Sequence, residues 1–145
     1  MEIIDAFHHY PAIFYGSIAL LGLLIGSFLN VVIYRLPIIM ENDWRSQCTE
    51  LLKQPPLPQQ PPFNLVFPAS RCPVCQHKIR IWENIPILSY LFLRGKCSHC
   101  HTRISLRYPL IELFTAITSV IVAWRYGVSW LVITSLLLTW ALIAL

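Results

Sequence analysis

Apolar residues along this chain collect in three long runs, and most polar residues collect between the first run and the second. Residues 12–34 hold 23 positions without a charged side chain. As a helix at 1.5 Å per residue, that run reaches about 35 Å, enough to cross a hydrocarbon core of about 30 Å. Residues 108–124 carry one charge, Glu112, and residues 126–145 carry none. The pattern predicts an α-helical multi-pass membrane protein with three transmembrane helices, Pro37 ending the first. A signal peptide is the other reading of the first run. The start is acidic (Glu2, Asp5), the run exceeds a signal h-region, and Arg35 follows directly where a small-residue cleavage site is needed. A retained helix fits better.

Gly22, Gly26 and Asn30 recur at i+4 steps and share one face of the first helix. Small residues let a second helix approach closely, and Asn30 can hydrogen-bond across the contact. The alternative is that glycine is common in membrane helices in general.

Composition agrees with the membrane reading. Hydrophobic residues make up 56% of the chain and charged ones 12%, against about 25% charged in soluble domains. Ten of the eleven Lys and Arg residues lie between residues 35 and 107, and the eleventh is Arg125. By the positive-inside rule, residues 38–107 are cytoplasmic and the N-terminus is periplasmic. Four acids offset the ten cations and leave the loop at +6. Topology accounts for that charge, so no nucleic-acid partner is expected.

The expected organisation has five parts. Residues 1–37 are an N-terminal segment and helix one. Residues 38–69 are a proline-rich loop. Residues 70–107 are a cysteine module, residues 108–126 helix two and residues 127–145 helix three. In the loop, Trp44, Cys48, Leu51 and Leu52 share a helical face over residues 41–53, which predicts a short surface helix with Cys48 as a packing residue. Residues 55–62 read as a polyproline-type spacer. In the module, Ile79 and Ile81 suggest a short strand. Asn84 with Pro86 can open a helix and Gly95 can close it. Gly127 makes the turn between helices two and three.

The module carries two matched phrases, Cys72-Pro73-Val74-Cys75 and Cys97-Ser98-His99-Cys100, each followed after two intervening residues by a cation and isoleucine (Lys78-Ile79, Arg103-Ile104). Twenty-one residues separate the pairs. Four thiolates at this spacing can wrap one tetrahedral zinc ion in a zinc-ribbon-like module, and a reducing cytoplasm favours metal over disulfides. Cys72, Cys75, Cys97 and Cys100 are the candidate ligands. The site would be closed and structural, since no position is left for water. Arg71, Lys78, Lys96 and Arg103 can offset its formal −2 charge. Redox cysteines and vestigial ones are the alternatives. His77, His99 and His101 read as exposed polar residues or as neighbours of the site.

Longer phrases then carry a resemblance. They are Gly26-Ser27-Phe28-Leu29-Asn30 running on to Pro37, Trp82-Glu83-Asn84-Ile85-Pro86, Arg94-Gly95-Lys96-Cys97, and Ile104-Ser105-Leu106-Arg107-Tyr108-Pro109 running on to Glu112. In order and spacing the chain resembles the bacterial type IV prepilin peptidases. The resemblance implies an inner-membrane aspartic endopeptidase that cuts leaders from prepilins and pseudopilins. It also implies an N-methyltransferase using S-adenosylmethionine, serving pilus assembly and type II secretion. Such peptidases use two aspartates, one as base and one as acid. This chain has only Asp5 and Asp43, and neither matches the family's catalytic positions. No catalytic residue is therefore expected before Leu145. Glu112 is the one carboxylate at a membrane position, open to a structural or a substrate-side role. The last apolar run has no polar stop, which reads as a fragment, an interrupted gene or one half of a split enzyme whose partner is a C-terminal peptidase half. The other functional class is a non-enzymatic, membrane-anchored zinc module that binds a partner or scaffolds assembly.

Overall fold

A computed structural model describes Phe7, residues 9–53 and residues 63–145. The acidic start with Glu2 and Asp5 and the spacer at 55–62 lie outside the described residues. Helix α1 spans Pro11–Leu51, with Pro11 in its first turn, where a missing N–H costs nothing. A short α2 spans Leu88–Phe92, α3 spans Arg107–Tyr126 and α4 spans Trp130–Ala144.

Pro37 does not end α1. The helix runs 41 residues, about 60 Å, straight through it. Proline removes one backbone hydrogen bond and crowds the carbonyl four residues earlier, at a cost of about 3 kcal/mol. The turns on both sides keep their own bonds, so the helix persists. The separate surface helix expected at 41–53 is the far end of α1. Trp44, Cys48, Leu51 and Leu52 are all exposed there, so Cys48 is not the packing residue it was expected to be.

Helix α1 lies against α3 along the predicted small-residue face. A Cβ on Gly22 would sit 2.8 Å from Ala116 Cα, and one on Gly26 would sit 2.7 Å from Glu112 Cα. Opposite them, Thr115, Ser119 and Ala123 are fully buried. Asn30 Nδ2 donates to the Tyr108 carbonyl across the contact at 3.1 Å, and to the Gly26 carbonyl at 3.2 Å. Helix α4 joins through Trp140 Nε1, which donates to Ser119 Oγ at 2.9 Å. Phe14, Ala123, Val132 and Leu136 form the apolar core among the three helices.

The distribution is inverted relative to a soluble bundle. Small and polar groups sit between the helices, while Leu20, Leu24, Phe28, Leu110, Phe114 and Ile121 face outward and are exposed. That arrangement suits a lipid surround. Helices α1 and α3 are long and apolar enough to cross a membrane by length and composition. Helix α4 is apolar but has 15 residues, about 22 Å, which is short of the third span expected from residue 128 onward. Gly127, at φ +60°, makes the predicted turn, its N–H donating to the Ala123 carbonyl at 2.8 Å.

The described residues 63–106 between α1 and α3 are mostly turns. The strand expected at Ile79 and Ile81 is absent. Arg80 N–H donates to Glu83 Oε2 at 2.9 Å and Glu83 N–H donates to the Arg80 carbonyl at 3.0 Å, winding a 3-10 turn over Ile81–Asn84. The ribbon expectation reduces to two isolated antiparallel bridges, Arg71 with Lys78 and Lys96 with Arg103. Helix α2 starts later than Pro86, with Ile87 as its N-cap. Gly95, at φ +66°, closes it, donating to the Tyr90 carbonyl at 2.9 Å.

Candidate metal centre and its attachment to the helices

The two cysteine phrases fold alike, bond for bond. In the first, Cys72 N–H donates to the His77 carbonyl, Gln76 N–H to the Cys72 carbonyl and Ile79 N–H to the Ser70 carbonyl. In the second, Cys97 N–H donates to the Thr102 carbonyl, His101 N–H to the Cys97 carbonyl and Ile104 N–H to the Gly95 carbonyl. Gln76 and His101, each directly after a second cysteine, both take the left-handed conformation, at φ +58° and +55°. Each turn thereby points its two sulfurs to the same side.

The four sulfurs meet. Sγ atoms of Cys72, Cys75, Cys97 and Cys100 all lie within 4.8 Å of one another. Across the two turns, Cys72 and Cys100 are 3.7 Å apart and Cys75 and Cys97 are 3.9 Å apart. These separations exceed a disulfide length of about 2.05 Å. A tetrahedron with metal–sulfur bonds of about 2.3 Å has edges of about 3.8 Å, so the donor set fits one tetrahedral ion. The four cysteines could hold a metal. Cys48 is exposed and stands outside the cluster.

The electrostatics of the thiols also favour a cation. The Thr102 hydroxyl, 3.3 Å from the sulfur, and the Thr102 N–H hold Cys100 down at about 6. Backbone N–H groups of Cys75 and Val74 lower Cys72. Cys75 has the His77 N–H pulling it down, yet desolvation and the three neighbouring thiols push it up to about 12. Four thiolates this close repel one another, and a divalent ion among them removes that repulsion. Arg71, Lys78, Lys96 and Arg103 flank the cluster as the two bridged backbone pairs. His77 and His99 do not join it. Their rings stack on each other, centroids 5.1 Å apart.

Four contacts that sequence reasoning missed tie this module and the segment leading into it to the helices. Ile87 N–H donates to Glu112 Oε2 at 2.7 Å. Arg35 is buried, and its guanidinium donates to the carbonyls of Asn64 at 2.9 Å and Pro68 at 2.6 Å. The Arg35 guanidinium also lies over the Phe63 ring. The signal for Arg35 was its place at the end of an uncharged run. The signal for Glu112 was a lone carboxylate in an apolar helix. Neither signal names the partner.

Residues 20–126 match the family model described as the bacterial peptidase A24 N-terminal domain. The chain belongs to that family. The matched stretch of the A24 N-terminal domain includes the four cysteines, Asn30, Arg35 and Glu112. Among curated relatives, the prepilin leader peptidase/N-methyltransferase of Stutzerimonas stutzeri is 56% identical over 135 residues, covering 93% of this chain and 47% of the relative. The protein of that name from Pseudomonas aeruginosa is 51% identical over 145 residues, covering 100% of this chain and 50% of the relative. The one from Neisseria gonorrhoeae is 55% identical over 128 residues, covering 88% and 45%. The chain thus spans about half the length of the curated relatives it matches. No solved structure matches it. The family resemblance read from the sequence is borne out.

Proposed function

We propose that this chain is the membrane-embedded N-terminal part of an aspartic endopeptidase that removes leaders from type IV prepilins and pseudopilins and methylates the new N-terminus. The observation that carries the reading is identity of 56% and 51% over nearly the whole chain to relatives bearing that name. S-adenosylmethionine is the methyl donor that the name implies. Pilus assembly and type II secretion are the processes served.

In this reading α1 and α3 cross the inner membrane, and the shorter apolar α4 packs against them within it. The N-terminus is periplasmic and the cysteine module cytoplasmic, as the bias of ten cations toward residues 35–107 supports. Cys72, Cys75, Cys97 and Cys100 hold one structural zinc ion, which would link the two turns and leave no open position for chemistry. The chain's part is to bind, orient and fold. Asp43 is exposed at the far end of α1. The catalytic aspartates are expected outside these 145 residues.

The test is a prepilin cleavage assay with two preparations, the purified 145-residue chain alone and the chain co-expressed with the C-terminal half of a relative. Cleavage is expected only in the second. Cleavage by the chain alone would refute the assignment of the cutting residues. No cleavage in the complemented preparation, where the relative's own full-length enzyme is active, would refute the family function for this chain.

A further inference from the structure

Beside the second cysteine turn, whose Lys96 and Arg103 line it, lies a pocket of about 480 Å³. Its lining includes Arg94, Lys96 and Arg103, with Tyr90, Ile104 and Leu106. No carboxylate lines it. The described carboxylates nearest in sequence are occupied, Glu83 by Arg80 N–H and Glu112 by Ile87 N–H. None of the three cations forms an ion pair with a described carboxylate. Three cations around one concavity with no described carboxylate partner, two of them flanking the thiolate cluster, can recognise a phosphate group.

The position of the pocket says where that phosphate comes from. Leu106 on its rim is followed directly by Arg107, the first residue of α3, a helix apolar enough to cross a membrane. Helix α2 lies beside it, held at this end of α3 by the Ile87–Glu112 bond. It presents Leu88, Leu91 and Phe92 outward, and Phe92 is 84% exposed. Apolar side chains backed by cations at the mouth of a membrane helix form an interfacial docking surface. A free phosphate would use the cations and leave Leu91 and Phe92 without purpose.

We propose that the cysteine module rests on the bilayer through this surface, Leu88, Leu91 and Phe92 entering the headgroup layer and Arg94, Lys96 and Arg103 holding the phosphate of an anionic phospholipid. The inference rests on α1 and α3 being membrane spans. It assigns the module a fixed lipid site that neither the metal nor the peptidase reading requires.

The experiment places the full chain in nanodiscs of phosphatidylcholine with or without phosphatidylglycerol. Hydrogen exchange is read over residues 88–96, and retained lipid is counted by native mass spectrometry. Exchange is expected to slow when phosphatidylglycerol is present, and phosphatidylglycerol is expected to stay bound. The triple variant R94Q/K96Q/R103Q is expected to lose that slowing and to retain about a hundredfold less lipid, since each cation near an anionic surface contributes roughly fivefold. Metal content of the variant equal to that of the parent shows that the module is still folded. If the triple variant does not fold, R94K/R103K is used, and retention at the parent level is expected. Equal exchange in both lipid mixtures, undiminished retention by the triple variant, or loss of retention in R94K/R103K overturns the proposal. Displacement of the lipid by inorganic phosphate overturns it in favour of a phosphate site. A chain that stays in solution without detergent would refute the membrane reading itself, a result distinct from all of these.

Discussion

Ile87 sits in the left-handed region at φ +58°, and its N–H reaches the Glu112 carboxylate 25 positions further along the chain at 2.7 Å. A β-branched residue at positive φ is strained, by about 1–3 kcal/mol. The carboxylate compensates by fixing the N-cap of α2 to the side of α3. Replacing Glu112 by leucine removes the acceptor and leaves a backbone donor without its partner, which costs about 1–3 kcal/mol. The expected outcome is a lower thermal midpoint in detergent and faster exchange of the Ile87 amide, with Glu112→Gln intermediate because it keeps an acceptor. Unchanged exchange at Ile87 in the leucine variant would show that the bond does not hold α2.

Two glycines in one helix should respond oppositely to alanine. A Cβ on Gly26 would lie 2.7 Å from the Glu112 Cα, a backbone atom that no rotamer change can move. A Cβ on Gly16 meets nothing within 4 Å. Alanine gains about 1 kcal/mol in helix propensity at either site, but overpacking costs typically 1–3 kcal/mol, so Gly26→Ala is expected to be about 1 kcal/mol less stable overall. Gly16→Ala should be neutral or stabilising. Thermal melts of both variants in the same detergent decide it, and equal midpoints would remove the close α1–α3 contact from the account of this fold.

Metal affinity should rise with pH across neutrality. In the metal-free module Cys75 holds its proton up to about 12, whereas Cys100 releases its own near 6. Binding an ion to four thiolates therefore expels protons at pH 7, and acid must weaken binding. Chelator competition at several pH values should show affinity falling as pH drops, with about one zinc per chain near neutrality and none in Cys97→Ser, as a single four-thiolate site requires. An affinity independent of pH would mean that the thiols are not the ligands.

The helical frame was legible because its signals are periodic. The i+4 recurrence of Gly22, Gly26 and Asn30 announced both the close contact and a hydrogen bond across it, and α3 supplies them with Ala116, Glu112 and the Tyr108 carbonyl. The cysteine cluster was legible because the repeated phrase carries its own geometry. Pro37 misled because local propensity is a weak term against a long run of intact helical bonds. The strand at Ile79 and Ile81 failed because Glu83 turns back onto Arg80, a tertiary choice that alternation of apolar residues does not encode. Arg35 and Glu112 stood out by type, but their partners are backbone atoms of Asn64, Pro68 and Ile87, and backbone groups leave no mark in a sequence.

Those backbone partners have a mechanical meaning. The module and the segment that leads into it are held to the helices at three separate places, the leading segment at Asn64 and Pro68 through Arg35, the module at Ile87 through Glu112 and by the peptide bond between Leu106 and Arg107. A single tether would let it swing and two would let it hinge. Three supports hold it like a bracket, so its height and tilt above the helix ends are dimensions of the fold.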